Sequence, residues 1–362
     1  MKQERFETGR LLATLEKFAG QRLFVAVLGS PDPDGLASAW ALKYLGAKVG
    51  ARLDILMFEA VSRPENAALI RLLNLPCRQV TGRLPRVPYA GYALVDRQNP
   101  TLPVPHPPTL PLVVFVDHHM GGPVPAAFCE QYSDVGSTST IMAHHLVAAT
   151  ENDSDDAREE ISRVATALMY GIRTDTSDFL NASALDFEAA MLLAPFVATD
   201  VMREIALTPL GAPFLKTLGV VLTNAKSSDG LVVAWAGRVG RKARDTISQS
   251  ADFLIKGEGV KVCVVFGLMD GQVVGSVRAT VASFDPNGFL RGALCGGLGL
   301  PANCGGRPFA GGFLVKASAL GERSQDEIRE ILSRALFSVW SEYRVETTVK
   351  AGRKRRGSPG QS

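Results

Sequence analysis

The chain has 362 residues, enough for two domains at the usual size of roughly 150 residues each. Hydrophobic residues make up 46% and charged residues 21%, with 35 glycines and 21 prolines, which fits a globular protein with many turns and excludes a disordered, collagenous or disulfide-scaffold chain. The formal charge of +3 leans on five basic residues near the C-terminus, Lys350, Arg353, Lys354, Arg355 and Arg356. The remainder is close to neutral, so affinity for a polyanion would have to come from a local groove or from this basic end, whose composition reads as disordered.

No apolar run approaches the ~18 residues of a membrane span, and Met1–Gly20 is charged and amphipathic, with no signal-peptide core. The expectation is a cytoplasmic protein without membrane partners. Five cysteines, Cys77, Cys129, Cys263, Cys295 and Cys304, are scattered without a Cys-x-x-Cys pair and read as reduced, mostly structural thiols.

In chain order, Arg5–Phe18 has helical apolar spacing and Leu23–Leu28 is an apolar run of buried-strand length. The segment Gly29-Ser30-Pro31-Asp32-Pro33-Asp34-Gly35 follows as a non-helical turn, then Leu36–Tyr44 as a helix. Strands are expected at Leu53–Phe58, Tyr92–Val95 and Leu112–Val116, and helices at Pro64–Leu73 and from about Ser137 to Ala149. This alternation implies a parallel sheet. Glu160–Tyr170 reads as a helix running into Gly171-Ile172-Arg173-Thr174-Asp175-Thr176, and Leu185–Ala194 and Met202–Leu207 as helices of a connector. From Leu231 the character turns to β, with strands at Leu231–Ala236, Val260–Leu268 and Gln272–Val281 and an Asp270-Gly271 hairpin turn. A glycine-dense stretch and an amphipathic helix at Gln325–Val339 complete the chain.

Asp32, Asp34, Asp96 and Asp117 each lie just beyond a strand, where ligands collect in open parallel sheets. Several aspartates in one place repel unless a cation neutralises them. With His118, His119 and Asp175 they offer hard oxygens and imidazole, a mixture suited to Mn²⁺ or a similar divalent ion, in numbers that suggest two ions. Two such ions can hold a hydroxide nucleophile and stabilise both oxygens of a phosphoryl displacement. His144 and His145, on a helix, and His106, in a Pro-rich loop, read as structural. The fragment Gly297-Leu298-Gly299 lacks the dinucleotide spacing, and no Gly-x-Ser-x-Gly marks a nucleophilic serine.

The order Asp32-Pro33-Asp34, Asp96, Asp117-His118-His119, then Asp175-Thr176, together with the small-residue helix start Gly136-Ser137-Thr138, resembles the DHH phosphoesterase superfamily, closest in layout to its nano-RNase and 3′-phosphoadenosine 5′-phosphate phosphatase branch. The segment Gly305-Gly306-Arg307-Pro308-Phe309-Ala310-Gly311-Gly312, preceded by Arg278 in Val-Gly-Ser-Val-Arg, resembles the accessory domain called DHHA1. The resemblance implies an α/β fold: a parallel-sheet DHH domain (1–190), a helical connector (191–228), a smaller α/β DHHA1 domain (229–345) and a basic tail (346–362). It implies that Asp34, His118 and Asp175 hold one metal, Asp32 the other, and Asp96 both. His119 would face the scissile phosphate as a catalytic and substrate-binding residue, with Asp96 also catalytic. Arg278, Gly305, Gly306 and Arg307 would bind substrate from across a domain cleft. Two positions depart from the pattern. Leu28 stands where many members have a histidine, with Ser30 where the RecJ type has an aspartate, and Arg307 replaces the accessory-domain histidine.

The expected function is a phosphoesterase using two divalent ions, Mn²⁺ first and Mg²⁺ or Co²⁺ as alternatives. Its substrates would be short single-stranded RNA oligonucleotides, 3′-phosphoadenosine 5′-phosphate-type nucleotides, or both. Contact of the basic tail with nucleic acid and a homodimer complete the partner expectations. The competing readings are a pyrophosphatase- or exopolyphosphatase-like hydrolase and a nucleotide-binding module with an impaired metal site.

Overall fold

Two six-stranded sheets organise the chain, one in each of two units, Met1–Pro209 and Leu210–Ser362. The computed structural model describes residues 5–97, 101–104, 109–151, 154–281, 283–307 and 309–355, without the side chains of Asp155, Lys242, Arg307 and 343–355. His106, Pro308 and Arg356 therefore lie outside the described residues, as does the Arg307 side chain.

In the first unit, α1 (Thr8–Glu16) leads into β1 (Arg22–Val27), α2 (Pro33–Lys48), β2 (Arg52–Met57), α3 (Pro64–Leu73) and β3 (Cys77–Gln79). Next come β4 (Gly91–Val95), β5 (Leu112–Asp117), β6 (Phe128–Gln131), α4 (Thr138–Thr150), α5 (Arg158–Asp175), α6 (Ala184–Leu193) and α7 (Thr199–Ala206). All six strands pair in parallel, in the order β3-β2-β1-β4-β5-β6. The central strands are apolar and buried on both faces, as a parallel sheet requires. On one face Leu23, Val25, Val114 and Val116 pack against Leu36, Trp40, Ile141 and Leu168 of the helices. On the other, Phe24, Leu94 and Phe115 are covered by Val80, Leu84, Tyr89 and Leu102 from connecting segments. The strand order reverses between β1 and β4, and that reversal opens a crevice at the carboxyl ends of these two strands.

The second unit holds α8 (Ala212–Asn224), β7 (Lys226–Ser228), β8 (Leu231–Arg238), α9 (Thr246–Leu254), β9 (Val262–Met269) and β10 (Gln272–Ala279). It continues through α10 (Pro286–Arg291), β11 (Asn303–Arg307), β12 (Ala310–Lys316) and α11 (Gln325–Arg355). The sheet order is β11-β12-β10-β9-β8-β7, with β8 and β9 parallel and the remaining pairs antiparallel. The Asp270-Gly271 turn forms as the sequence suggests, both residues having positive φ (47° and 74°). No helix among the described residues is long and apolar enough to cross a membrane.

Several sequence expectations need correction. The acidic turn is not wholly non-helical: Pro33 is the first residue of α2, where its missing N–H costs nothing, so Asp34 and Gly35 are helical. The segment 171–175 belongs to α5, which makes Asp175 the last residue of that helix. β3 and β6 were not expected, and the glycine-dense stretch closes into β11 and β12. α11 runs past Val339 to Arg355.

Candidate metal centre

Each acidic residue of the crevice is placed by a local backbone rule. Asp32 caps α2, its Oδ1 accepting from the Gly35 N–H at 2.9 Å, the usual role of aspartate at a helix start. Asp34 sits in the first turn of α2, fully buried, and accepts from the Thr138 N–H (2.8 Å) and the Ser139 N–H (2.6 Å) at the start of α4. Ser137 caps α4 by accepting from the Thr140 N–H. The Gly136-Ser137-Thr138 motif thus turns the positive end of one helix toward an aspartate on another.

Asp96 follows β4 with φ of 54° and donates its N–H to the Val116 carbonyl. Asp117 ends β5, and His118 and His119 follow it directly. Asp175 is brought in by the close approach of α5 to α2 and α4. A Cβ on Gly171 would lie 2.3 Å from Ser139 Oγ and 3.1 Å from Asp34 Cα, so only glycine lets the helices come this near.

The imidazole of His118 is the centre of the cluster. Its Nε2 lies 3.2 Å from Asp175 Oδ2, 3.4 Å from Asp96 Oδ1 and 4.0 Å from Asp34 Oδ2, yet it makes no hydrogen bond of good geometry among the described residues. The His119 Nδ1 lies 2.8 Å from Asp117 Oδ1 and 3.6 Å from Asp96 Oδ1, and Gln131 holds the His119 carbonyl. Asp117 Oδ2 is buried with no hydrogen-bond partner among the described residues. Two sets of atoms lie close enough to share an ion: Asp34, His118 and Asp175, and Asp96, His118 and His119.

The electrostatics match this crowding. Burial, followed by the charge of Asp175, pushes the Asp34 carboxyl up to about 7, with His118 and the Ser139 hydrogen bond opposing. Burial and the charges of Asp34 and Asp32 raise Asp96 well above the carboxylate range. For His118 burial favours the neutral ring, but Asp175, Asp96 and Asp34 outweigh it and raise its pKa to about 11. Without another cation, the imidazolium is the main positive charge in the cluster, and a divalent ion would relieve the same repulsion more completely.

The structure therefore brings Asp34, Asp96, His118, His119 and Asp175 together, with Asp32 beside them as a helix cap and outside both ion-sharing sets. Leu28 packs among apolar side chains. In the second unit, Arg278 donates from Nε to Asp252 (2.6 Å) and from Nη1 to Ser276 Oγ (2.8 Å). Gly305 and Gly306 pair with Gly312 and Gly311 across β11 and β12. His145, expected to be structural, is fully buried between Glu130 and Thr8, and His144 stacks on Phe6 at 4.4 Å.

Sequence reading missed two acidic or basic residues of this region. Asp186 is buried and accepts from Gly136 N–H, Ser183 N–H and Thr140 Oγ1, fixing the start of α4 beneath the site. The Ser183-x-x-Asp186 capping pattern was the available signal. Arg97 was passed over although it adjoins Asp96.

No family model matches the chain. The uncharacterized protein MJ1633 of Methanocaldococcus jannaschii is 30% identical over 272 residues, covering 74% of this chain and 54% of that protein. The chain thus spans about half the length of this relative. Among solved structures, an exopolyphosphatase-related protein from Bacteroides fragilis superposes with a TM-score of 0.65 at 12% identity, over 93% of this chain and 98% of that one. The manganese complex of RecJ from Thermus thermophilus is a more distant likeness, with a TM-score of 0.48 and 16% identity over 91% of this chain and 55% of that one. With its reversed parallel sheet and its second mixed sheet, the chain shares the fold of the exopolyphosphatase-related protein, and Asp34, Asp96, His118 and Asp175 converge in the order of the motifs that resemble the DHH superfamily.

Proposed function

We propose that the protein is a divalent-metal-dependent phosphoesterase whose centre is the carboxylate and imidazole cluster at the β1/β4 crevice. One observation carries the reading: His118 Nε2, buried and without a good hydrogen bond among the described residues, lies within 4.0 Å of oxygens from three aspartates. A buried imidazole nitrogen aimed at several carboxylates is costly as a hydrogen-bonding arrangement and economical as a ligand set. Hard oxygens with imidazole suit Mn²⁺, with Mg²⁺ and Co²⁺ as alternatives.

In this reading Asp34, His118 and Asp175 would hold one ion, Asp32 the other, and Asp96 would serve both. When bound, two such ions supply charge stabilisation to the phosphoryl group and lower the pKa of water. Asp117 fixes the His119 ring through Nδ1, which leaves Nε2 as the edge offered to the phosphoryl group. Arg278, Gly305, Gly306 and Arg307 are the substrate-binding residues of this reading, and a phosphate oxygen would compete with Asp252 for Arg278. The substrate class is short single-stranded RNA, 3′-phosphoadenosine 5′-phosphate-type nucleotides, or both. A second reading, hydrolysis of polyphosphate or pyrophosphate, is favoured by the likeness to the exopolyphosphatase-related protein.

The test is hydrolysis by metal-stripped protein with Mn²⁺ added back, on a short RNA oligonucleotide, 3′-phosphoadenosine 5′-phosphate, pyrophosphate and polyphosphate. Turnover should depend on Mn²⁺ and vanish in Asp96→Ala. Turnover of pyrophosphate or polyphosphate alone would select the second reading. Inactivity on all four with Mn²⁺ bound would leave a binding module.

A further inference from the structure

Arg97 occupies a position at the mouth of the crevice that none of the assigned roles uses. The register of β1 and β4, running from Leu23↔Gly91 to Ala26↔Leu94, continues to set Arg97 opposite Gly29. Both turns depend on positive φ, 76° at Gly29 and 54° at Asp96, and Asp96 in this conformation carries the following side chain across to the end of β1. The guanidinium then lies along Gly29: a Cβ there would be 3.0 Å from Nη1 and 3.5 Å from both Cζ and Nη2. Glycine at 29 thus serves the turn and leaves room for the arginine.

The neighbouring arginines at this end of the unit are engaged by acids, Arg63 with Glu65 at 3.8 Å and Arg173 with Asp178 at 2.6 Å. Arg97 is exposed and has no acidic partner among the described residues, although it directly follows Asp96 and its resting place, Gly29, is in the same turn as Asp32. An exposed guanidinium lying along Gly29 beside an acidic pocket, with no carboxylate partner among the described residues, is placed to meet an anion rather than to neutralise a carboxylate.

We propose that Arg97 is a substrate-binding residue that takes a non-reacting phosphoryl group, so that the site favours substrates carrying at least two phosphoryl groups over simple monoesters. This rests on the phosphoesterase reading and adds a specificity determinant to it. The reacting group belongs to the carboxylate and imidazole cluster. The second group, displaced toward the end of β1, meets the fork of Arg97, which can bind two of its oxygens at once.

The experiment compares wild type, Arg97→Ala and Arg97→Lys, all loaded with Mn²⁺, on 3′-phosphoadenosine 5′-phosphate and on p-nitrophenyl phosphate, beside calorimetric binding of methylenediphosphonate and of orthophosphate. Loss of a charge-assisted bidentate contact should raise KM for the two-phosphoryl substrate about 10- to 100-fold in Arg97→Ala and weaken methylenediphosphonate similarly. Values of kcat, and both parameters for the monoester, should stay near wild type, with Arg97→Lys intermediate. An equal loss on both substrates would reveal a structural role for the turn and overturn the proposal, as would an unchanged Arg97→Ala. Inactivity of the wild type on both substrates and on a short RNA oligonucleotide would overturn the phosphoesterase reading and this inference with it, whereas a wild type active on any of them, with Arg97→Ala indifferent in turnover and in methylenediphosphonate binding, would overturn this inference alone.

Discussion

Two buried polar clusters in the first unit use the same residue types and resolve them differently. At the junction of α1, β6 and α4, Glu130 accepts from the Glu7 N–H at 2.8 Å and pairs with His145 Nε2 at 3.0 Å, while His145 Nδ1 meets Thr8 Oγ1 at 2.9 Å. Each polar atom of that imidazole and carboxylate has a partner, as buried structural groups require. At the crevice, Asp117 Oδ2 and His118 Nε2 are left without good hydrogen bonds among the described residues, and the Asp34 and Asp96 carboxyls are pushed far above their ordinary range. The lesson is that burial of Asp and His is not itself the mark of a site; incomplete satisfaction combined with like-charge crowding is.

The comparison breaks most visibly at Asp96. Asp96→Ala should lower Mn²⁺-dependent turnover at least ~1000-fold, about 4 kcal/mol of transition-state stabilisation, with the fold retained. Asp96→Asn, whose side chain tolerates the left-handed backbone, should raise the melting temperature of metal-free protein by removing a repelled carboxylate. A lower melting temperature would place Asp96 with the satisfied, structural group.

The pH dependence sharpens the same contrast. Asp34 is held at about 7 against an ordinary 3.8, so between these values the native state keeps a proton that the unfolded chain has lost. Stability of metal-free protein should therefore fall by a few kcal/mol as pH rises from about 4 to 7. His118, raised from 6.5 to about 11, binds its proton more tightly in the native state, so its contribution is complete below about 6.5 and lost toward 11, in the same direction. Melting curves in chelator across pH 5 to 8 would show the decline, and saturating Mn²⁺ should reverse it because ligands bind metal when deprotonated. A flat profile in chelator would contradict the assignment of charge crowding.

A smaller effect is expected at Asp186, on the satisfied side. Asp186→Ala strands the Gly136 and Ser183 N–H groups and the Thr140 hydroxyl, and should cost about 3 kcal/mol in denaturant unfolding. Mn²⁺ should not rescue it beyond the stabilisation that it gives the wild type. Rescue specific to this variant would instead tie Asp186 to the metal centre.

Much of this arrangement was legible in the sequence because Asp32 and Asp34 start a helix, Asp96 follows a strand and Asp175 ends a helix, and strand ends and helix ends leave local signals. The apolar runs of β1, β2, β4 and β5 were readable for the same reason. β3 and β6 were not, being short edge strands, Cys-Arg-Gln and Phe-Cys-Glu-Gln, with little apolar periodicity. The helical start at Pro33 was obscured by reading two prolines as breakers, when proline at the first helical position is favourable. The interlock of Glu130, His145 and Thr8, and the approach of Arg97 to Gly29, join residues distant in sequence, and no local pattern announces such pairs.

The most direct test of the central claim is a calorimetric titration of metal-stripped protein with Mn²⁺ near neutral pH, run beside His118→Ala. The account expects two ions per chain in the wild type and loss or marked weakening of at least one in the variant, since His118 belongs to both sets of ligand atoms. Absence of Mn²⁺ binding in the wild type, or identical isotherms for the two proteins, would contradict it.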